Sequence, residues 1–246
     1  IDEASLRTFG RWPWPRSEVG KVVDAIAASG AAAVGLDLFF AEPQGGTDGP
    51  ASDAALADSL YNAPSVLAMS LDPNAGPLDI ESKAGWTVIG LDPNAAAAVQ
   101  GGIAPLPQLA EAASGLGIVR TLPGRDGVIR HVPLVWAETT DGSDVRLWPT
   151  LALELLRVAQ AETSFTLRLE GLPTDAVRAG GATVPLGADG RIRIIDTTVP
   201  VPHVSAKDLL ENGPSDALTG RVVLLAVDVA GVDQYHVTAR GGHRLG

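Results

Sequence analysis

The stretch from residue 17 to residue 40 constrains the fold of this chain more than any other. Its first half, Ser17 to Gly30, spaces its apolar side chains as one face of an amphipathic helix does, at Val19, Val22, Val23, Ile26 and Ala27. Its second half, Ala31 to Phe40, is an almost continuous apolar run, which is typical of a strand buried on both faces. Because such a strand needs a layer of helices on each face, the sequence predicts an α/β fold with a mainly parallel central sheet.

Turn signals farther along the chain predict that the sheet is mixed. Segments 117–122 and 128–137 flank the turn Pro-Gly-Arg-Asp-Gly, and segments 182–186 and 191–196 flank Gly-Ala-Asp-Gly. Apolar segments joined by such short turns favour antiparallel hairpins. We therefore expect one domain over residues 1–246, with helices on both faces of the sheet and antiparallel β-hairpin insertions.

The same patterns assign three further segments. A second helix that packs on the sheet is predicted by the stripe Trp148, Leu151, Ala152, Leu155, Leu156 and Ala159. Ser52 is predicted to cap a short helix that ends at Leu60. The run from Arg221 to Val227 predicts a buried strand of the parallel type.

Charge and composition limit the partners of the chain. With 18 basic and 29 acidic residues its net charge is -11, so nucleic acid is not expected as a partner. The absence of cysteine excludes disulfides and thiolate metal clusters. The most apolar stretch, Val22 to Phe40, contains two aspartates and is therefore not a membrane span, and the acidic start Ile1-Asp2-Glu3 is unlike a signal peptide. We expect a soluble piece excised from a longer protein, with membrane contact only through helices outside this chain.

Signatures of common enzyme sites are missing. The sequence has no G-x-S-x-G nucleophile elbow, no G-x-x-x-x-G-K-[ST] phosphate loop and no H-E-x-x-H zinc motif. Gly115-Leu116-Gly117 resembles only the start of a dinucleotide-binding loop, and it follows a predicted helix instead of a strand. His236 and His243 lie close enough in sequence for joint metal ligation, but a loop pair without nearby acids is more typical of solvated histidines. We expect neither a catalytic site nor a resident cofactor in this domain.

Three carboxylates, those of Asp2, Asp37 and Asp233, each stand beside an apolar run. The carboxyl ends of parallel strands meet at one edge of a sheet, where open α/β sheets bind ligands. If a further strand precedes Ile1, Asp2 and Asp37 lie at the ends of neighbouring strands. Two interpretations stay open, because these acids can hold a divalent cation such as Ca²⁺ or Mg²⁺ or can pair with Arg16.

Three motifs near the start of the chain are unusually specific. In chain order they are Ile1-Asp2-Glu3-Ala4-Ser5-Leu6, Gly10-Arg11-Trp12-Pro13-Trp14-Pro15-Arg16 and Gly35-Leu36-Asp37-Leu38-Phe39-Phe40-Ala41-Glu42-Pro43. Together they resemble the CHASE2 family, the extracytoplasmic sensory domains found ahead of membrane spans in bacterial adenylate cyclases, histidine kinases and serine/threonine kinases. Segments 124–134, 150–153, 204–210 and 218–225 are similar to later motifs of the family, so the resemblance covers nearly the whole chain. The chain departs from the family late, where Ala226-Val227-Asp228 replaces a terminal glycine and Ala239 instead of proline follows Thr238.

The resemblance implies a domain that senses a small molecule or an ion on the extracytoplasmic side of a membrane protein. The output domain that the resemblance implies is a cytoplasmic class III adenylate or guanylate cyclase, with a kinase as the alternative. The resemblance also implies a homodimer, since class III cyclases and histidine kinases both work as dimers. The candidate ligand-binding residues are Asp2, Trp12, Trp14, Arg16, Asp37, Asp53 and Asp233.

The Trp-Pro-Trp-Pro-Arg run leaves two interpretations open. Its alternating prolines favour an extended segment, so Trp12 and Trp14 are presented rigidly just before the helix. The two indoles can plug the core at the helix entrance, or they can contact a ligand.

Two functions of other classes stay open as well. A periplasmic enzyme or a solute-binding protein would use the same acids, although neither a nucleophile nor a poised base is recognisable in the sequence. A purely structural ectodomain would dimerise without any ligand.

Overall fold

The structure is a computed structural model that describes residues 1–72, 74–90, 97–99, 101–139, 145–170, 175–187, 190–195, 201–229, 235–238 and 241–244. Its helices are α1 (Glu3–Phe9), α2 (Arg16–Ala28), α3 (Gly49–Tyr61), α4 (Pro107–Ala112), α5 (Leu151–Ala159) and α6 (Ala206–Asn212). Its strands are β1 (Ala33–Leu36), β2 (Ser65–Leu71), β3 (Gly85–Gly90), β4 (Ala97–Val99), β5 (Gly102–Ile103), β6 (Gly115–Ile118), β7 (His131–Pro133), β8 (Val135–Thr139), β9 (Val145–Pro149), β10 (Ser164–Leu169), β11 (Ala176–Ala179), β12 (Ala182–Pro185), β13 (Arg191–Arg193), β14 (Val222–Leu225), β15 (Tyr235–Thr238) and β16 (Gly241–Arg244).

The central sheet confirms the predicted α/β fold. Its parallel strands run in the order β14, β1, β2 and β6, and β5 adds an antiparallel pair to the end of β2. Val34 of β1 lies opposite Val223 on one side and Ser65 on the other, so β1 is an interior strand. The strand following the first long helix is therefore buried between neighbours, as its apolar run predicts.

Helices cover both faces of this sheet. On one face α2 and α3 pack against Val34 and Leu36 of β1 and Leu67 and Met69 of β2. On the other face α5 packs against Ala33 of β1 and against Val66 and Ala68 of β2. The alternation of side chains along each strand sends successive residues to opposite helical layers.

Two smaller sheets and two antiparallel strand pairs, β7–β13 and β15–β16, complete the described part of the chain. The sheet of β12, β11, β10 and β3 combines antiparallel hairpin pairing with a parallel β10–β3 pair. The sheet of β4, β8 and β9 contains an antiparallel β8–β9 pair. Their facing residues, among them Phe165, Leu167 and Val177, form a core of their own. No helix in the described ranges is both long enough and apolar enough to cross a membrane.

The hairpin predicted for segments 117–122 and 128–137 is wrong. The turn between them does close, since Gly124 N–H donates to Val128 O over 2.9 Å. The flanking strands then diverge, because β6 pairs in parallel with β2 whereas β7 and β8 join β13 and β9. A turn motif specifies a reversal of the chain, and the strand partners are chosen by the faces that must be buried.

The hairpin predicted for segments 182–186 and 191–196 is wrong for the same reason. Gly187 N–H donates to Arg191 O over 2.8 Å, so the turn closes. The strands on either side separate, with β12 pairing with β11 and β13 pairing with β7. Antiparallel hairpins do occur, at β8–β9 and at β11–β12.

Two predicted helix starts and the predicted burial of one strand differ from the structure. Trp148 belongs to β9, because Thr150 caps α5 by accepting from Leu153 N–H. Ser52 lies inside α3, which begins at Gly49 with Pro50 in its first turn, a position that suits proline. The last parallel strand is at the sheet edge, so Val222 and Leu224 are 52% and 48% exposed instead of buried.

Candidate functional site

Asp2 lies at the carboxyl edge of the central sheet, where it joins two helix starts. It forms an isolated parallel bridge with Asp228, which follows β14, so β14 lies between Asp2 and the strand that leads to Asp37. The two acids therefore share an edge of the sheet without ending neighbouring strands, which corrects the expectation drawn from a preceding strand. One carboxylate oxygen of Asp2 accepts from Ser5 N–H at 2.9 Å, Ser5 Oγ at 2.6 Å and Ser205 Oγ at 2.9 Å.

These hydrogen bonds cap α1 and hold the start of α6 against it. Ser5 is fully buried, and its hydroxyl also accepts from Lys207 N–H at 3.0 Å. Burial by itself would raise the pKa of Asp2, but the hydrogen bonds from Ser5 and Ser205 together outweigh it and lower the pKa to about 2. Asp2 is an ionised capping residue whose side chain accepts from Ser5 and Ser205 and does not pair with Arg16 in the described part of the chain.

Removing this cap is expected to destabilise the protein. Asp2→Ala should lower the free energy of unfolding by about 1–2 kcal/mol, since N–H groups at a helix start lose their acceptor. Asp2→Asn keeps a capping oxygen and should cost only a few tenths of a kcal/mol, by the near equality of Asn and Asp as caps. Urea unfolding at neutral pH measures both, and equal losses in the two variants would contradict the capping role.

The carboxylate of Asp2 also makes the stability of the protein depend on pH. The pKa of Asp2 is lower in the folded chain than in the unfolded chain, so its ionised form stabilises the fold. That contribution is complete above the unfolded pKa of about 3.9 and is lost as the pH falls toward about 2. Asparagine does not titrate, so the wild type should lose stability relative to Asp2→Asn as the pH is lowered through this window.

Asp37 follows β1 directly and is half-buried, with its N–H donating to Leu225 O over 3.0 Å. Asp233 lies outside the described residues. Across the part of the chain that the structure describes, no three His, Asp or Glu side chains come close enough together to hold a metal ion. The divalent-cation site predicted for Asp2, Asp37 and Asp233 thus stays a prediction.

The tryptophans before α2 contact the core and each other. Trp14 is only 6% exposed, and its indole Nε1–H donates to Gly10 O over 2.9 Å. The ring of Trp14 lies 5.7 Å from Phe9 and 6.3 Å from Trp12, measured between centroids. Trp12 is partly buried against the same core. The packing of Trp14 matches the plug interpretation, and Trp12 keeps an accessible surface.

Arg16 and Asp53 form the most buried polar contact among the predicted ligand-binding residues. Arg16 Nη1 lies 2.5 Å from Asp53 Oδ1, and the side chains are 11% and 3% exposed. Arg16 Nη2 donates to the carbonyl oxygen of Glu42, and its guanidinium stands 5.3 Å from the centre of the Phe40 ring. Arg16 is the first residue of α2 and Asp53 lies in α3, so this pair ties both helices to the loop after β1.

Gln44 completes this network, and the sequence did not single it out. Its side-chain oxygen accepts from Arg16 N–H at 2.7 Å and from Ser52 Oγ at 3.0 Å, while its own N–H donates to Asp53 Oδ2 at 3.1 Å. Ser52 Oγ in turn accepts from Ser17 N–H at 2.9 Å. Gln44 stands at the start of a Gly-rich loop, and no local pattern marks a residue whose partners are 8 to 28 positions away.

A shallow depression of about 500 Å³ opens beside this network. It is lined by Pro15 and Ser17 at the start of α2, by the loop from Gln44 to Asp48, and by Ala51 and Ser52 of α3. Ser17, Gln44 and Ser52 bring hydroxyl and amide groups to this lining, while apolar atoms form the larger part of its surface. Arg16 and Asp53 form the rigid support behind it.

One comparison with known proteins finds a match. The family model described as CHASE2 domain matches residues 1–244, which is nearly the entire chain. Neither a curated protein nor a solved structure matches the chain significantly.

Proposed function

The chain belongs to the CHASE2 family, whose members are extracytoplasmic sensory domains, and from this premise we propose that it senses a small molecule or ion and regulates a class III nucleotide cyclase in the same receptor. The observation that carries the proposal is the match of the family over residues 1–244. A sensory role requires no catalytic group in this domain. The enzyme activity belongs to the receptor's cytoplasmic part, with an adenylate or guanylate cyclase as the first choice and a histidine or serine/threonine kinase as the alternative.

We place the ligand in the depression beside Arg16 and Asp53. A ligand changes an output only by as much as it distinguishes two states of the domain. The loop from Glu42 to Asp48 is held to α2 and α3 by Arg16 and Gln44, so a ligand that moves this loop acts on both helices. The shift is passed on through the packing of a homodimer, the state in which class III cyclases and histidine kinases work. A divalent cation at the carboxyl edge of the sheet is the second candidate ligand.

Thermal unfolding against a panel of metabolites and divalent cations tests the sensing step. A specific ligand at 100 times its dissociation constant should add about 2.7 kcal/mol to the stability of the chain. Thr47→Tyr fills the depression and should abolish that gain, whereas Thr183→Tyr places the same side chain on exposed β12 and should preserve it. If Thr47→Tyr keeps the ligand-induced stabilisation, the ligand binds at another site. If no compound or cation of the panel stabilises the chain, a structural ectodomain is favoured.

The output is tested on the intact receptor. The gene beyond Gly246 should encode apolar spans followed by a cyclase domain, and membranes that contain the receptor should form cyclic nucleotide at a rate that the ligand changes. If the same membranes transfer phosphate to protein instead, the output is the kinase alternative and not the cyclase. A gene that encodes neither output would favour a periplasmic enzyme or a solute-binding protein.

A further inference from the structure

The strand β3 forms one edge of the sheet in which the strands run β12, β11, β10 and β3. All six of its residues, Gly85 to Gly90, lie in parallel register with β10 from Ser164 to Leu169. On its other side, no residue within the described ranges pairs with it. The outward backbone groups of β3 thus form the kind of edge to which a further strand can add.

Hydrogen bonding to β10 decides which backbone groups of β3 point outward. Gly85 N–H donates to Thr163 O over 3.0 Å, so the backbone groups of Gly85 point toward β10. Backbone groups of successive residues along a strand point to opposite sides. The N–H groups of Trp86, Val88 and Gly90 therefore point away from β10, toward the open edge.

Free space adjoins this edge. A depression of about 350 Å³ is lined by Trp86 and Val88 together with Val145 to Leu147 of β9. Trp86 and Val88 share a face of the sheet, and the ring of Trp86 packs 4.7 Å from that of Phe165. Val88 is nevertheless 38% exposed. The edge therefore combines room for a strand with an apolar side chain that its own sheet leaves partly uncovered.

β3 also lacks the features that usually keep a sheet edge from pairing, which are charges, prolines or a very short strand. Its sequence, Gly-Trp-Thr-Val-Ile-Gly, contains neither a charge nor a proline. The opposite edge strand of the same sheet, β12, has only four residues and ends in Pro185. The edge of β14 is partly occupied, since the amino group of Ile1 donates to Ala226 O and Asp228 N–H donates to Ile1 O. Of these three edges, β3 is the one suited to strand addition.

The charge of the chain points to a second copy as the added strand. Two copies that each carry a net charge of -11 repel each other, and a two-fold axis places identical segments in contact. An uncharged segment on the axis avoids like charges at the contact. We infer that β3 pairs antiparallel with β3 of a second copy, so that the two sheets become one continuous sheet. This inference rests on the proposed function for the homodimer that passes on the signal, and it assigns that dimer a face.

The outward N–H groups fix the register of this pair. Antiparallel strands exchange hydrogen bonds only where outward-pointing residues lie opposite each other. Pairing of all three outward residues places Val88 opposite Val88 of the second copy, on the two-fold axis, and Trp86 opposite Gly90. Opposite residues share a face, so the missing side chain of Gly90 leaves room for the indole. An aromatic residue across from an edge glycine is a favourable cross-strand pair.

A single introduced cysteine tests this register, because the chain has no cysteine of its own. Opposite residues in a hydrogen-bonded antiparallel pair have Cα atoms about 5.5 Å apart, which a disulfide can span. Val88→Cys should therefore form a covalent dimer on mild oxidation with copper phenanthroline. Thr183→Cys, on the exposed face of β12, is the matched control and should stay monomeric on a denaturing gel. Equal yields of covalent dimer from both variants would overturn the inference.

Sedimentation equilibrium measures the association itself. Val88→Pro removes an N–H that points away from β10, so the sheet keeps its internal hydrogen bonds. The variant should dimerise about 30-fold more weakly than the wild type, because each dimer loses two hydrogen bonds. Thr183→Pro is the control: Leu186 N–H donates inward to Asp175 O, so by alternation Thr183 N–H points outward, and dimerisation should be unchanged.

Two results of this measurement would contradict the β3 interface. One is a wild-type chain that stays monomeric up to about 1 mM, and the other is a Val88→Pro chain that dimerises as tightly as the wild type. If Val88→Pro does not fold, the cross-linking of Val88→Cys decides alone. A monomeric chain would leave the sensory proposal standing, because ligand-induced stabilisation can be measured on a monomer.

Discussion

Arg157→Met is expected to lower the free energy of unfolding by about 3–5 kcal/mol, which is the usual cost of removing one partner from a buried ion pair. Arg157 and Glu154 of α5 are 5% and 0% exposed. Arg157 Nε and Nη2 donate to the two carboxylate oxygens of Glu154 at 2.9 and 2.5 Å. Arg157 also donates to Ser114 O at 2.9 Å and to Glu162 O at 2.6 Å, so the variant loses four hydrogen bonds.

The loss of stability in Arg157→Met should depend on pH, because the substitution changes the pKa of Glu154. Burial raises the pKa of Glu154, and the guanidinium of Arg157 opposes that rise. Without Arg157 the folded pKa of Glu154 rises further above its unfolded value. A raised folded pKa contributes stability below the unfolded pKa of about 4.3, and the contribution is lost as the pH rises through the folded pKa. The variant should therefore lie closer to the wild type at about pH 4 than at about pH 8.

Urea unfolding of the two single variants, the double variant and one control measures this effect. The double variant Glu154→Met with Arg157→Met removes both charges, so it should cost at least about 1 kcal/mol less than the sum of the single losses. Arg168→Met serves as the matched control, since Arg168 and Glu170 form an exposed pair at 3.7 Å and should contribute less than about 1 kcal/mol. Additive losses in the double variant would show that Glu154 and Arg157 act independently.

Gly117→Ala is expected to cost about 3 kcal/mol or more, or to prevent folding, because the new methyl group would overlap backbone. A Cβ atom at position 117 would lie 2.4 Å from Leu151 Cα and 2.6 Å from Leu151 N. Leu151 opens α5, so relief of this overlap requires the whole helix to move off the sheet. Backbone atoms cannot rotate away as a side chain does.

Two other glycines calibrate the prediction. At Gly35 an added Cβ would meet Leu155 Cδ1 at 2.7 Å, a flexible side-chain end, so Gly35→Ala should cost about 1–3 kcal/mol. At Gly45 nothing lies within 4 Å, so Gly45→Ala should change stability by less than about 0.5 kcal/mol. Thermal and urea unfolding rank the three variants. A Gly117→Ala protein as stable as Gly45→Ala would show that α5 does not lie this close to β6.

The helix of residues 17–30 and the strand after it were predictable because their signals are local. Periodic apolar residues identify α2, and the continuous apolar run identifies β1. The ends of that strand were not predictable, since β1 ends at Leu36 while the apolar run continues to Phe40. Leu38 and Phe40 are buried by the helical layer without being paired in the sheet.

The candidate site was predictable only as single residues. Arg16 and Asp53 were both predicted as ligand-binding residues, but their pairing across 37 positions is set by the packing of α2 on α3. Gln44 was missed because its hydrogen bonds depend on that packing. Asp2 was identified correctly as a residue of the sheet edge, yet its serine partners at positions 5 and 205 come together only when α1 meets α6.

The sequence by itself determined the layers of this protein, because the period of its apolar residues decides which segments are helices and which are buried strands. Only the tertiary structure decided which strands pair and which charges meet. Gly115 and Gly117 illustrate the difference, since they resemble a fragment of a nucleotide loop in the sequence and prove to be the close contact of β6 with α5. The physical reason is that burial patterns depend on neighbouring residues, whereas partners are chosen by shape and charge between segments far apart in the chain.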